Sequence, residues 1–154
     1  MKNLNKHLVI EQLDKKLQKY AEIKDIDIPD KGWIHSVRMA MNMSLRQLGA
    51  RLGITGQSVK EIESREADYT ITLEKLKKVA DVLDLKFVYG FVPKNGSVQK
   101  MIEKRAFDTA KKIVLKTSHS MMLEEQENSP GRIQKAIEDR AKKIVDEIPK
   151  YLWD

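Results

Sequence analysis

Apolar residues recur along most of this chain at helical rather than strand spacing. From Leu4 to Tyr20, Ile10, Leu13, Leu17 and Tyr20 fall at intervals of 3, 4 and 3, one stripe of a helix, with Glu11, Asp14, Lys15, Lys16 and Lys19 off it. Pro29 and Gly32 in DIDIPDKG then interrupt the pattern and mark a linker or turn. Residues 32–93 predict a chain of short helices. Trp33, Ile34, Val37, Ala40 and Met41 form the first apolar face, with Trp33 expected in the core. Ser44 and Gln47 have capping-box spacing, since hydroxyl and amide can each satisfy the other's free backbone donor. Leu45, Leu48 and Leu52 line the next helix, which Gly53 ends. Thr55 caps a third, with Val59 and Ile62 inward, and Thr72 opens a fourth carrying Leu73, Leu76, Val79, Ala80 and Leu83. The run KFVYGFVP is short, β-branched and aromatic, and stops at Pro93, so it predicts a β-strand.

Residues 94–154 return to helical spacing. After a turn at Pro93–Gly96, Ser97 is the expected N-cap for Val98, Ile102, Ala106, Ala110, Ile113 and Thr117. Ser129 and Pro130 start a second helix, because proline suits a first turn that needs no N–H. Ile133, Ile137, Ala141, Ile144 and Ile148 follow, ending before Pro149, with Trp153 as a candidate anchor for the C-terminus. The expected fold is all-α apart from the single strand. The chain divides into an N-terminal helix and linker (1–31), a central domain (32–93) and a C-terminal helical extension (94–154).

Residues 44–63 carry the most information. Two short helices joined by a turn of about three residues make a helix-turn-helix. Gly49 is small where the elements must approach closely, and Gly53 can take the left-handed backbone of the turn. Leu48, Leu52, Ile54, Val59 and Ile62 point into a shared core, leaving Gly56, Gln57, Lys60, Glu61 and Ser64 outward.

On these residues, and on LEKLKKVADVLDL at 73–85, residues 33–92 resemble the XRE-type, phage-repressor-like family of DNA-binding domains. The resemblance implies a five-helix core and a third helix lying in the major groove. It makes Gln57 the leading base reader, since an amide can bond adenine N6 and N7 together, with Ser58, Lys60 and Glu61 beside it. It implies phosphate contacts from Ser44, Arg46, Thr55, Ser64 and Arg65, and a buried ion pair between Arg38 and Glu63. Gly56 and Leu45 depart from the polar residues common at those places. Glu61 fits cytosine N4, and equally a surface charge balancing Lys60 or Arg65. Over nearly the whole length, GW, MSLRQLGARLGIT, LDLKFVYGFVPK, SMMLEEQ and LWD are similar to the bacterial "mobile mystery protein A" group. That group implies an antitoxin-like regulator encoded beside a partner with a Fic domain. Ser120 and Glu124 loosely match the S/T-x-x-x-E-G/N pattern of Fic-inhibiting helices, although Glu125 replaces the final small or amide residue.

Composition narrows the alternatives. The 154 residues are 41% hydrophobic and 34% charged, enough for a buried core. Mean hydropathy is -0.52. No apolar run approaches the roughly 18 residues of a membrane span, and no signal-peptide core is visible. Zero cysteines exclude a disulfide framework and thiolate chemistry, which favours a cytoplasmic location. His7, His35 and His119 have neither zinc nor triad spacing, and no glycine-rich phosphate loop occurs, so neither enzyme, metal nor cofactor is expected. The formal charge of +6 permits a polyanionic partner without requiring one. Its densest part is 94–116, where Lys94, Lys100, Lys104, Arg105, Lys111, Lys112 and Lys116 face only Glu103 and Asp108. Such a run is ordinarily the solvated side of a helix.

In the expected strand, Phe87, Tyr89 and Phe91 lie on one face and Val88 and Val92 on the other. A lone strand leaves its backbone groups unpaired, so two copies pairing across a twofold axis would make a homodimer. The function expected is a sequence-specific, autorepressing regulator that binds a palindromic operator in double-stranded DNA. The alternative is a protein whose helical extension restrains a Fic-domain enzyme.

Overall fold

The computed structural model describes residues 2–123 and 129–154. Seven α-helices are present among them: α1 (Lys2–Ala21), α2 (Gly32–Ala40), α3 (Leu45–Leu52), α4 (Gly56–Ala67), α5 (Leu73–Val82), α6 (Val98–Leu123) and α7 (Pro130–Glu147). A 3-10 turn, Lys150–Trp153, follows α7. The chain forms two compact units, Asp25–Tyr89 and Met1–Lys24 with Gly90–Asp154. No helix among the described residues is long and apolar enough to cross a membrane.

The Asp25–Tyr89 unit packs α2 through α5 around Leu48, Val59 and Val79, all fully buried, with Ile34, Ile62 and Leu83 beside them. Helices α3, α4 and α5 each begin where a short polar side chain accepts a backbone N–H. Ser44 Oγ accepts from Gln47 N at 3.1 Å while Gln47 Oε1 accepts from Ser44 N at 2.8 Å, completing the capping box. Thr55 and Thr72 accept from Ser58 N and Lys75 N in the same way. Helix α3 ends at Gly53, whose φ of 69° is left-handed, and Ile54 N returns to Gly49 O at 2.9 Å. Gly49 has a stricter requirement. A Cβ there would sit 2.6 Å from the Ile54 carbonyl oxygen, so the turn folds back directly onto α3.

In the second unit, α6 and α7 form an antiparallel pair, and α1 packs along α6. Ala106 and Ala110 are fully buried and small enough for close approach to Ile137, Ala141 and Ile144, and Leu152 of the 3-10 turn closes this core. Two long-range contacts tie its ends together. Asp14 on α1 accepts from Val98 N at 2.7 Å and Gln99 N at 3.1 Å, capping α6 together with Ser97. The Arg105 guanidinium donates to the carbonyls of Leu152 and Asp154, both at 2.7 Å. On α1, Asp14 is half-buried whereas Leu13 is exposed, so the packed stripe is displaced from the purely apolar one.

Several expectations need correction. No strand occurs among the described residues: Phe87–Val92 has no regular secondary structure. Val88, Tyr89 and Phe91 are exposed, Phe87 and Val92 half-buried, and Phe87 stacks on Tyr89 with ring centroids 5.9 Å apart. β-Propensity is realised only against a neighbouring strand, and the described residues offer none. Gly90 instead lets the Tyr20 ring lie on the backbone, where a Cβ would come within 2.6 Å of it. The central unit holds four α-helices rather than five: after α5 the chain turns through left-handed Asp84, at φ 57°, and forms no further helix before Tyr89. Trp33 is 46% exposed at the lip of an apolar groove of about 340 Å³, not core. Trp153 is also exposed, and its neighbour Leu152 is the buried anchor.

Because backbone, not a movable side chain, opposes a Cβ at position 49, Gly49→Ala should lower the unfolding free energy by about 1–3 kcal/mol. Gly131→Ala, with open space around its Cβ in the first turn of α7, should cost nothing. Urea unfolding of both variants checks this, and equal stabilities would contradict it.

Candidate nucleic-acid interface

Helix α4 is held by its inner face and leaves the opposite face bare. Val59 and Ile62 enter the core, and Glu63 and Glu66 turn towards α2. Gln57, Lys60, Glu61 and Ser64 are left exposed, within about 100° of one another around the helix. Arg65 is exposed at the edge of this group. Ser58 is different: it is half-buried, and its hydroxyl lies 2.9 Å from that of Thr55. It therefore completes the cap of α4 and is poorly free to reach outward.

The first turns of α3 and α4 lie side by side. A Cβ on Gly56 would stand 3.2 Å from Arg46 N and 3.3 Å from the Leu45 carbonyl carbon. Glycine at this place allows that approach, which accounts for the missing polar side chain. Two positive helix-dipole ends are thus adjacent, with Arg46 exposed beside them. Ser44 and Thr55 are exposed, but each spends an acceptor lone pair on its own helix. A phosphate there would meet the remaining amides, the Arg46 guanidinium and the free side of each hydroxyl.

Two carboxylates of α4, one turn apart, set its position against α2. Arg38 is 6% exposed and Glu63 7%. Arg38 Nε donates to Glu63 Oε1 at 2.5 Å, Nη2 donates to Oε2 at 3.1 Å, and Nη1 donates to the Met43 carbonyl at 2.8 Å. His35 Nδ1 lies 2.9 Å from Glu63 Oε2. Burial by itself would raise the Glu63 carboxyl, but hydrogen bonds and charge from Arg38 and His35 outweigh it and hold the group below its ordinary range. The same carboxylate holds the Arg38 guanidinium above its usual value. Glu66 then accepts from Trp33 N at 2.9 Å and Ile34 N at 2.8 Å, capping α2. Gly32 makes room for it, since a Cβ there would lie 2.7 Å from Glu66 Oε2. Glu66 is a positioning residue that sequence reasoning missed. Its only signal is the i, i+3 relation to Glu63, which puts both on one side of α4.

The other expected sites are placed less tightly. Ser120 Oγ donates back to the Lys116 carbonyl at 3.1 Å, and Glu124 lies outside the described residues. Among the described residues, no cluster of His, Cys, Asp and Glu has the makings of a metal site. A family model described as helix-turn-helix matches residues 34–89, a little over a third of the chain. That span runs from Ile34 in α2 through α5 and includes Ser44, Thr55, Glu66 and Thr72. No curated protein and no solved structure matches the chain significantly.

Replacing Glu63 leaves the buried Arg38 charge without its carboxylate. Glu63→Gln should therefore cost about 3 kcal/mol near neutral pH. Because the folded pKa is depressed from 4.5, the carboxylate's stabilisation is fully present above that value and is lost as pH falls through the folded one. The gap between wild type and variant should narrow as pH is lowered to about 3 in urea titrations. A constant gap would contradict this assignment.

Proposed function

We propose that the protein is a sequence-specific DNA-binding transcription regulator that works by binding rather than catalysis, with α4 lying in the major groove. The observation that carries this is the exposed group of Gln57, Lys60, Glu61 and Ser64, on a helix locked from behind by Glu63 and Glu66. Gln57 reads an adenine through its amide. Lys60 donates to guanine or phosphate, and Glu61 accepts from cytosine N4. Arg46, Ser44, Thr55 and the paired helix starts hold the sugar-phosphate backbone and set the register. The helix-turn-helix match over residues 34–89 supports the same reading.

One recognition helix reads only a few base pairs, so the regulator acts as a homodimer on an inverted repeat with half-sites about 34 Å apart. Resemblance to the antitoxin-like group supports autorepression of an operon shared with a Fic-domain partner. A second role is favoured by one observation: α1, α6 and α7 build a unit with its own core, separate from the recognition helix. In that role the C-terminal extension restrains the Fic-domain enzyme.

Selection of bound DNA from a random duplex pool should return a palindromic consensus. Failure to enrich any sequence would overturn the reading. Gln57→Ala with Lys60→Ala should lower affinity for the selected duplex by about 10- to 1000-fold and relax the consensus, while weak binding to unrelated DNA persists. For the second role, Glu124→Gly should relieve inhibition of a co-expressed Fic partner; unchanged adenylylation would count against it.

A further inference from the structure

The charge of this protein is unevenly divided. Residues 25–89 contain ten basic and ten acidic side chains, so the unit bearing the recognition helix is formally neutral. The whole surplus of +6 belongs to the other unit. Within that unit the surplus lies on α1 and α6: α1 exposes Lys6, Lys15, Lys16 and Lys19 against Glu11, but Lys6 donates to the Glu147 and Ile148 carbonyls and Lys15 pairs with Glu11. Helix α7 exposes Arg132, Lys135, Lys142 and Lys143 against Glu138, Asp139, Asp146 and Glu147, an even balance. Helix α6 exposes Lys100, Lys104, Lys111, Lys112 and Lys116 against Glu103 and Asp108.

The structure separates the parts of α6 that have internal tasks from those that have none. Arg105 is occupied by the Leu152 and Asp154 carbonyls, and Glu103 accepts from Gln99 Nε2 at 2.8 Å. None of the five lysines takes part in an ion pair among the described residues. Lys100, Lys104 and Lys111 fall within about 40° around the helix and about 16 Å along it, and Lys112 lies about 80° further round, beyond Asp108. The first three make a straight cationic edge on a rigid helix whose buried side is fixed by Ile102, Ala106 and Ala110.

We propose that the exposed lysine edge of α6 binds the phosphodiester backbone of duplex DNA. The proposal rests on the DNA-binding reading of Asp25–Tyr89 and divides the work between the units. The neutral unit discriminates sequence through placed side chains. The α6 edge supplies attraction that is independent of sequence, because each lysine that neutralises a phosphate releases a condensed counterion. Duplex DNA is the occupant that fits, since it offers closely spaced negative charge along a line and no apolar anchor is required.

The test uses the full chain and two variants, titrated from about 50 to 200 mM salt against the selected duplex and an unrelated one. Removing Lys100, Lys104, Lys111 and Lys112 to Ala should make the slope of log K against log salt shallower by about 3 to 4 on both duplexes. The ratio of the two affinities should hold. A control lacking Arg132, Lys135, Lys142 and Lys143 on α7 should keep the parental slope. Circular dichroism and thermal melting of each variant verify folding. A parental slope in the α6 variant, while wild type still binds the selected duplex, overturns the proposal alone and leaves the edge to an acidic protein. An equal fall in the α7 control also overturns it, by showing that only total charge matters. A wild type that binds no duplex overturns the DNA reading and this proposal together.

Discussion

The contact between α2 and α4 is the constraint on which the recognition surface depends. Helix α4 has 12 residues and its outer side touches nothing in its own unit, so its orientation must be set from within. Val59 and Ile62 bury it, but apolar contacts tolerate small rotations that would redirect Gln57 and Lys60. Glu63 and Glu66 restrict those rotations through two different geometries. One forms a two-point bond with a buried guanidinium, and the other spans two successive amides at the start of α2. A buried ion pair is often worth little net stability, because desolvation offsets much of the attraction. Its value here is directional: Arg38 also holds the Met43 carbonyl, so the same side chain orients the loop leading into α3.

From that contact the rest of the surface follows. The turn after α3 must close tightly enough to bring the start of α4 beside the start of α3, and Gly49, Gly53 and Gly56 are the positions where a side chain would obstruct this or a left-handed backbone is needed. Paired helix starts would attract an anion locally on a unit with no net charge. Bulk attraction then has to come from elsewhere in the chain, and the surplus lies with the other unit, on α1 and α6. On the proposed reading, specificity and attraction are carried by different parts of one molecule, a division that leaves each free to change separately.

What was legible in the sequence was mostly local. The capping box of Ser44 and Gln47, the Thr55 and Thr72 caps and the turn glycine Gly53 each act over three or four residues, and spacing alone exposes them. The contacts that joined distant segments were invisible to periodicity. Asp14 caps α6 across 84 residues, Glu66 caps α2 across 32 to 33, and Arg105 reaches the C-terminal carbonyls across 47 to 49. All three look like ordinary surface charges in a linear reading. The FVYGFV run misled for a related reason: strand propensity describes fit to a pleated neighbour, and a sequence cannot say whether that neighbour exists. Trp33 misled because a large apolar ring can line a groove as well as fill a core.

Hydrogen exchange of the full chain, free and bound to its selected duplex, tests the central claim most directly. Slowed exchange of backbone amides at residues 55–61 and at the start of α3, on the selected duplex but less so on an unrelated one, is the predicted result. Unchanged exchange there, with protection confined to α6 or α7, would contradict the account and take sequence reading away from α4.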